Sequence, residues 1–193
     1  MPMPPLESGR VYRTEEFSRF DKNPTRLASK LLRSGKLRQL RKGFYYAPLQ
    51  SAFGEVPPSE TELLRAFFRG EPYLRTGPSV WNALGLGATA VEVVPLVYNT
   101  TRTGEVRLGT RRFELRRVSF PGTPDPEYFV VDLLENVARA GVDLDKVQRA
   151  LTAAVEAGRF DHGQLLVRAA EYGTRATEVL VREALPEDER SRV

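Results

Sequence analysis

The apolar positions between Asn23 and Ala47 change period within 25 residues. Leu27, Ala28, Leu31 and Leu32 recur at i, i+1, i+4 and i+5 and fall on one stripe of a helix. Thr25, Arg26, Ser29, Lys30 and Arg33 take the opposite, polar face. Asn23 is a capping residue and Pro24 suits the first helical position, where the missing N–H has no partner to lose. Gly35 supplies the left-handed residue that ends a helix. Leu37 to Leu40 and Phe44 to Ala47 then read as two strands, with Arg41-Lys42-Gly43 as a hairpin tip. Upstream, Val11 and Tyr12 form a short extended piece, and Thr14 is placed to cap a helix from about Glu15 to Phe20. Phe17 and Phe20 lie three apart and face the Leu27/Leu31 stripe, with Asp21-Lys22-Asn23 as the turn between helices.

The remaining pattern is longer and simpler. Leu49 to Ser59 reads as a linker, and Ser59 with Glu62 opens a helix that ends near Gly70. Tyr73 to Ser79 reads as a turn into a short apolar helix, Val80 to Leu84. Three strands are predicted, Val91 to Tyr98, Glu105 to Leu108 and Phe113 to Val118. From Asp125 the period is helical: one helix to about Ala140 with Phe129, Leu133, Leu134 and Val137 inward, then helices opened by Asp143 and Asp161. A last helix ends near Leu185-Pro186, and a charged, frayed tail follows from Glu187. The expected class is α+β, divided at residue 50. Residues 1–50 have the layout of a winged helix-turn-helix. Residues 51–193 form a small antiparallel sheet flanked by helices, with a helical C-terminal part. The prolines of MPMPPLESGR argue against the helix that normally opens such a module, so it is abbreviated or another segment completes its core.

Charge sharpens this picture. The net charge is +4, but the first 50 residues hold eleven Lys/Arg against four Asp/Glu, a balance of +7, and the rest of the chain is at −3. A basic amino-terminal module on a slightly acidic body is the pattern of a protein whose first part meets polyanion. On this reading Thr25, Arg26, Ser29, Lys30 and Arg33 enter the major groove. Arg38, Arg41 and Lys42 track the backbone or the minor groove, and Arg13 meets phosphate near a helix start. Tyr45 and Tyr46 anchor the hairpin. A second cluster, Arg102, Arg107, Arg111, Arg112, Arg116 and Arg117, is equally a partner-binding face (Arg107, Arg111, Arg112, Arg116) or a solvated sheet face with cross-strand ion pairs.

Composition offers little chemistry. The absence of cysteine rules out disulfides and thiol nucleophiles, and a lone histidine, His162, rules out a multi-histidine metal site within one chain. No stretch has phosphate-loop spacing. Glu92 follows Gly77-Pro78-Ser79 as in a nucleotidyltransferase, but it stands alone among valines, whereas that chemistry needs paired carboxylates. No enzyme activity, cofactor or metal is expected. Trp81, Phe67 and Phe68 read as core. With no apolar run of about 20 residues and no signal-peptide core, a cytoplasmic protein without a membrane partner is expected.

Two stretches together carry a resemblance. One is the abbreviated helix–hairpin module ending in Gly43-Phe44-Tyr45. The other runs from Gly77-Pro78-Ser79-Val80-Trp81-Asn82-Ala83-Leu84-Gly85-Leu86 through Gly109 to Arg116. Their order and spacing over residues 9–185 resemble the AbiEi-type antitoxins of bacterial abortive-infection (type IV) toxin–antitoxin systems. The resemblance implies a winged helix that binds inverted repeats in the protein's own promoter and represses the operon, with a dimer on DNA as one arrangement. It also implies a second domain that counteracts a nucleotidyltransferase-type toxin encoded alongside. Apart from the resemblance, the residues leave open a transcriptional regulator with a ligand-sensing or dimerising body, or a protein-interaction module.

Overall fold

The protein is described as a computed structural model covering residues 4–184; the predicted frayed tail and the end of the last helix near Leu185-Pro186 lie outside the described residues. The chain forms two compact units, one of residues 1–72 with 105–112 and the other of 73–104 with 113–193. The division expected at residue 50 therefore moves to Pro72, and the first unit is discontinuous.

In the first unit, β1 (Val11–Arg13) and β2 (Arg38–Arg41) flank β3 (Phe44–Tyr46) in a three-stranded antiparallel sheet. Between β1 and β2 lie a 3₁₀ helix, Thr14–Arg19, and α1, Pro24–Arg33. The first of these is tighter than the α-helix expected, and Arg13 rather than Thr14 caps it. Its backbone N–H donates to Glu16 Oε1 at 2.8 Å. α1 begins and ends as its sequence predicts. Asn23 Oδ1 accepts from the Arg26 N–H at 3.0 Å, and Gly35 has φ +72°. Tyr12, Phe17, Leu27, Ala28, Leu31, Leu37 and Tyr45 close into one apolar core, with Phe20 and Leu32 half-buried against it.

Residues Leu49 to Ser59 are not a plain linker. β4 (Leu49–Ser51) and β5 (Gly54–Val56) form a second hairpin, with Phe53 fully exposed at its tip. α2 (Glu60–Phe68), capped by Ser59 Oγ accepting from the Glu62 N–H at 3.2 Å, packs against β1. Arg13 Nη1 donates to the carbonyls of Ala66 and Phe67 at 3.4 and 3.3 Å, and the Phe67 ring lies 6.2 Å from that of Phe44.

The second unit is built on a sheet of order β6-β7-β9-β8, whose β8–β9 hairpin tip (residues 105–112) groups with the first unit. β6 (Tyr73–Thr76) forms where a turn was expected, and pairs antiparallel with β7 (Leu96–Asn99). β7 runs parallel to β9 (Arg111–Arg117), so the sheet is mixed rather than antiparallel. The reason is local: Asn99 Oδ1 accepts from the backbone N–H groups of Thr101 and Arg102, turning the chain, and β8 (Gly104–Leu108) takes the outer position. The predicted strand start at Val91 is also corrected. Val91 and Val93 are exposed, and Glu92 between them is clamped by both terminal nitrogens of Arg75, Nη1 lying 2.9 Å from Oε1.

Gly77, between β6 and α3 (Pro78–Ala83), has φ +112°, and a Cβ there would lie 2.9 Å from Glu92 Oε1 and 3.4 Å from Leu96 Cβ. Gly77→Ala is therefore expected to cost about 1–3 kcal/mol. Urea unfolding checks it, and an unchanged midpoint would show that the turn relaxes freely.

One helix was expected from Asp125 to Ala140; two are found. α4 (Pro126–Glu135) stops at Asn136 and α5 (Val137–Ala140) follows. The Asn136 side chain donates to the Asp132 carbonyl at 2.8 Å, at the turn where the helix breaks. α6 (Leu144–Glu156), α7 (His162–Tyr172) and α8 (Arg175–Glu183) follow, capped by Asp143, Asp161 and Thr174. Trp81, Leu96, Val130, Leu133, Leu151, Leu165 and Val181 centre the core of this unit. Of the four residues expected inward on α4, Leu133 and Leu134 are buried and Phe129 is half-buried against the core, while Val137 falls on α5. No helix of the described residues is long and apolar enough to cross a membrane.

Candidate nucleic-acid interface

The polar face of α1 is exposed along its length: Thr25, Arg26, Ser29, Lys30 and Arg33 all point away from the Leu27/Ala28/Leu31 core. They are not equivalent. Arg26 Nη2 lies 3.3 Å from Oδ2 of the buried Asp21. Asp21 also accepts from the Asn23 N–H at 2.8 Å, and that bond first, then Arg26, holds its carboxyl below the ordinary range. Ser29 Oγ donates back to the Thr25 carbonyl at 2.9 Å. Lys30 and Arg33 are exposed and form no ion pair among the described residues. Lys22 and Lys36, at the two ends of α1, are exposed as well. The sequence reading passed over both, although each directly flanks a helix-ending signal.

On the β2–β3 hairpin, Lys42 is exposed and Arg41 projects from the tip with its guanidinium 5.3 Å above the Phe44 ring. Arg38 is drawn inward. It donates to the carbonyls of Gly35 and Leu37 and pairs with Glu55 of β5 at 3.0 Å. Arg13 is more firmly held: Nε lies 2.9 Å from Glu15, the guanidinium stacks 4.8 Å over Phe44, and the side chain is 19% exposed. Arg13, read as a phosphate contact, and Arg38, read as tracking the backbone or the minor groove, are thus engaged within the unit. Both spend their donors on the unit's own carbonyls and carboxylates.

The second arginine cluster is divided between the two units. Arg107, Arg111 and Arg112 group with the first unit, Arg116 with the second. Arg107 Nε donates to the Gly109 carbonyl and Arg111 pairs with Glu60 at 3.5 Å, while Arg112 is exposed. Arg116 lies 3.1 Å from Glu114, and Arg139 grips the same carboxylate through two bonds at 2.8 and 2.6 Å. The hydrogen bonds from Arg139 hold Glu114 below its ordinary value. The pair therefore stabilises the fold above the usual glutamate range, about 4.3, and is lost as pH falls through the lowered value. Glu114→Gln should lower the melting temperature near neutrality and make little difference in strong acid; an equal loss at both would reject the linkage.

Charge follows the structural units. The first unit carries 16 Lys/Arg and 9 Asp/Glu, net +7, and the second carries 13 and 16, net −3. The excess positive charge thus lies wholly on the unit that presents α1 and the two-stranded tip.

One feature of the second unit was not read in the sequence at all. Asp132, 5% exposed, accepts hydrogen bonds from the Thr76 hydroxyl, from Trp81 Nε1 at 2.8 Å, from the Tyr98 hydroxyl at 2.7 Å and from Asn136 Nδ2 at 3.2 Å. Burial pushes its carboxyl up, against the pull of these donors, and burial beside Asp132 pushes the Tyr98 phenol up as well. The network joins β6, α3, β7 and α4. Its sequence signal was an acid inside the apolar run Phe129 to Leu134.

No family model matches the sequence, and no curated protein matches it. Among solved structures, the fold is similar to that of the RV2827C protein from Mycobacterium tuberculosis. The two have a TM-score of 0.51 at 15% identity, over 95% of this chain and 74% of the other. At that identity, the likeness is one of a mixed α+β fold and of nothing further.

Proposed function

We propose that the first unit is a winged helix that binds DNA, with α1 as the recognition helix and the β2–β3 hairpin as the wing. The observation that carries this reading is the contrast among the cations. Arg13, Arg38, Arg65 and Arg111 are spent on internal carboxylates and carbonyls, whereas Lys30, Arg33, Lys36 and Lys42 are exposed and unpaired among the described residues. An unpaired cationic helix face is available to phosphates and base edges without first breaking an ion pair. In this reading the chain is an antitoxin of the AbiEi type. It represses its own operon by binding inverted repeats in the promoter, as a dimer on that DNA, and its second unit counteracts a nucleotidyltransferase-type toxin in the cytoplasm. A second reading, a regulator whose second unit senses a small ligand, is favoured by the cavity beside Asp132 described below.

The test is fluorescence-anisotropy binding of the full chain to its own upstream DNA and to a scrambled duplex at two salt concentrations. Specific binding is expected to be at least about 10³-fold tighter than non-specific. Equal, weak, steeply salt-dependent binding to both would reject autoregulation. Rescue of growth against the neighbouring toxin gene tests the second half separately.

A further inference from the structure

A cavity of about 210 Å3 opens beside Asp132, walled by Tyr98, Tyr128, Tyr172 and Glu135. Tyr128 is 2% exposed, yet its phenol oxygen has no hydrogen-bond partner among the described residues. Among those residues, Arg10 Nε is the one side-chain polar atom sealed from solvent without a partner. The Tyr128 oxygen therefore reaches open space, and the space that Tyr128 lines is this cavity. Asp132 itself is a buried carboxylate with hydrogen bonds from neutral donors and no ion pair. Buried charge is ordinarily compensated by opposite charge. Arg116, also on the wall, is turned to Glu114 and to Asn136 Oδ1 instead.

The unfilled hydrogen-bonding capacity of the cavity suits a donor. Glu135 Oε1 accepts from the Thr174 N–H and the Thr177 hydroxyl, while Oε2 is left without a partner among the described residues. The Tyr98 oxygen donates to Asp132 and accepts from Asn136 at 3.1 Å. The Tyr128 and Tyr172 rings stand 5.2 Å apart at 89°, giving two aromatic walls at right angles. Carboxylates, phenol oxygens and aromatic walls around a small volume are the surroundings of an organic cation.

We propose that this cavity binds a primary alkylammonium group. An ammonium brings three donors and no acceptor, so it complements these groups and supplies the positive charge that Asp132 lacks. The volume is below the roughly 300–1,000 Å3 of sites for drug-sized ligands, which limits the occupant to a short aliphatic stem. Two sources share that chemistry: a free amine and a lysine side chain of a partner protein.

Isothermal titration of the full chain with n-butylammonium chloride tests the site, with n-butanol and sodium chloride at matched concentration as controls. Saturable one-to-one binding in the millimolar range or tighter is expected for butylammonium alone. Tyr128→Phe, which removes the free oxygen and keeps the ring, should weaken it about tenfold with the thermal transition retained. N-acetyl-lysine-methylamide separates the sources. Binding as tight as that of butylammonium assigns the site to a partner's lysine, and exclusion of the bulkier probe assigns it to a free amine. Butanol binding as well as butylammonium, no saturable butylammonium heat, or full affinity in Tyr128→Phe would each overturn the proposal.

Discussion

Replacing Lys30 and Arg33 together by glutamate is expected to abolish sequence-specific DNA binding while leaving the protein folded. Both side chains lie on the exposed face of α1 and neither forms an ion pair among the described residues, so the change removes no contact from the core. Losing two phosphate-contacting cations lowers the salt slope by about two, and reversing their sign adds repulsion from the duplex. A loss of about a hundredfold or more in affinity follows, from two contacts each worth about 1–3 kcal/mol. Anisotropy titrations at two salt concentrations read both quantities. Arg13→Ala is the internal control. It should lower the melting temperature, because Arg13 holds the α2 carbonyls, and should leave the salt slope unchanged. If the glutamate pair binds DNA like the parent, α1 is not the recognition helix.

The second large effect is expected at Asp132→Ala. The substitution strands the donors of Thr76, Trp81, Tyr98 and Asn136 in a site where Asp132 was 5% exposed. Trp81 Nε1 is a donor only and cannot turn to accept, and Trp81 is itself fully buried. Stranded buried donors cost about 1–3 kcal/mol each, less whatever water enters the space beside them. A total of about 3–5 kcal/mol is expected, which for a chain of this size is a fall in melting temperature of about 10 °C. Asp132→Asn should fall between parent and alanine, since its amide keeps one acceptor and faces the remaining donors with another donor. A loss in Asp132→Ala below about 1 kcal/mol would mean that the network contributes little to the fold.

How much of this was legible depended on whether a residue's role was local. α1 was readable to the residue because its stripe, cap and stop all lie within Asn23 to Gly35 and act over one or two turns. The exposure of Thr25, Arg26, Ser29, Lys30 and Arg33 follows from the same period. The β4–β5 hairpin was not, because every residue of its strands is exposed and so carries no alternation to read. β6 was hidden by the Gly77-Pro78 signal that immediately follows it. Val91 to Val94 erred the other way: three valines with strand propensity, of which the fold leaves Val91 and Val93 at the surface. The intramolecular partners of Arg13 and Arg38 were not legible because an arginine's partners are set by tertiary reach, in Arg13's case to carbonyls 53 and 54 residues away. Asp132 went unread because its donors come from three other elements as well as from Asn136 on its own turn.

The discontinuity of the first unit has a consequence for how the chain comes apart. The backbone passes between the two units three times, after Pro72, after Gly104 and after Arg112. A protease cut at any one of these passages leaves two fragments, and the other two passages still join them through the hairpin. A gene fragment ending at residue 72 would lack the strand tip whose Gly109 N–H bonds the Leu40 carbonyl and whose Arg111 meets Glu60. All three passages must be cut to set either unit free.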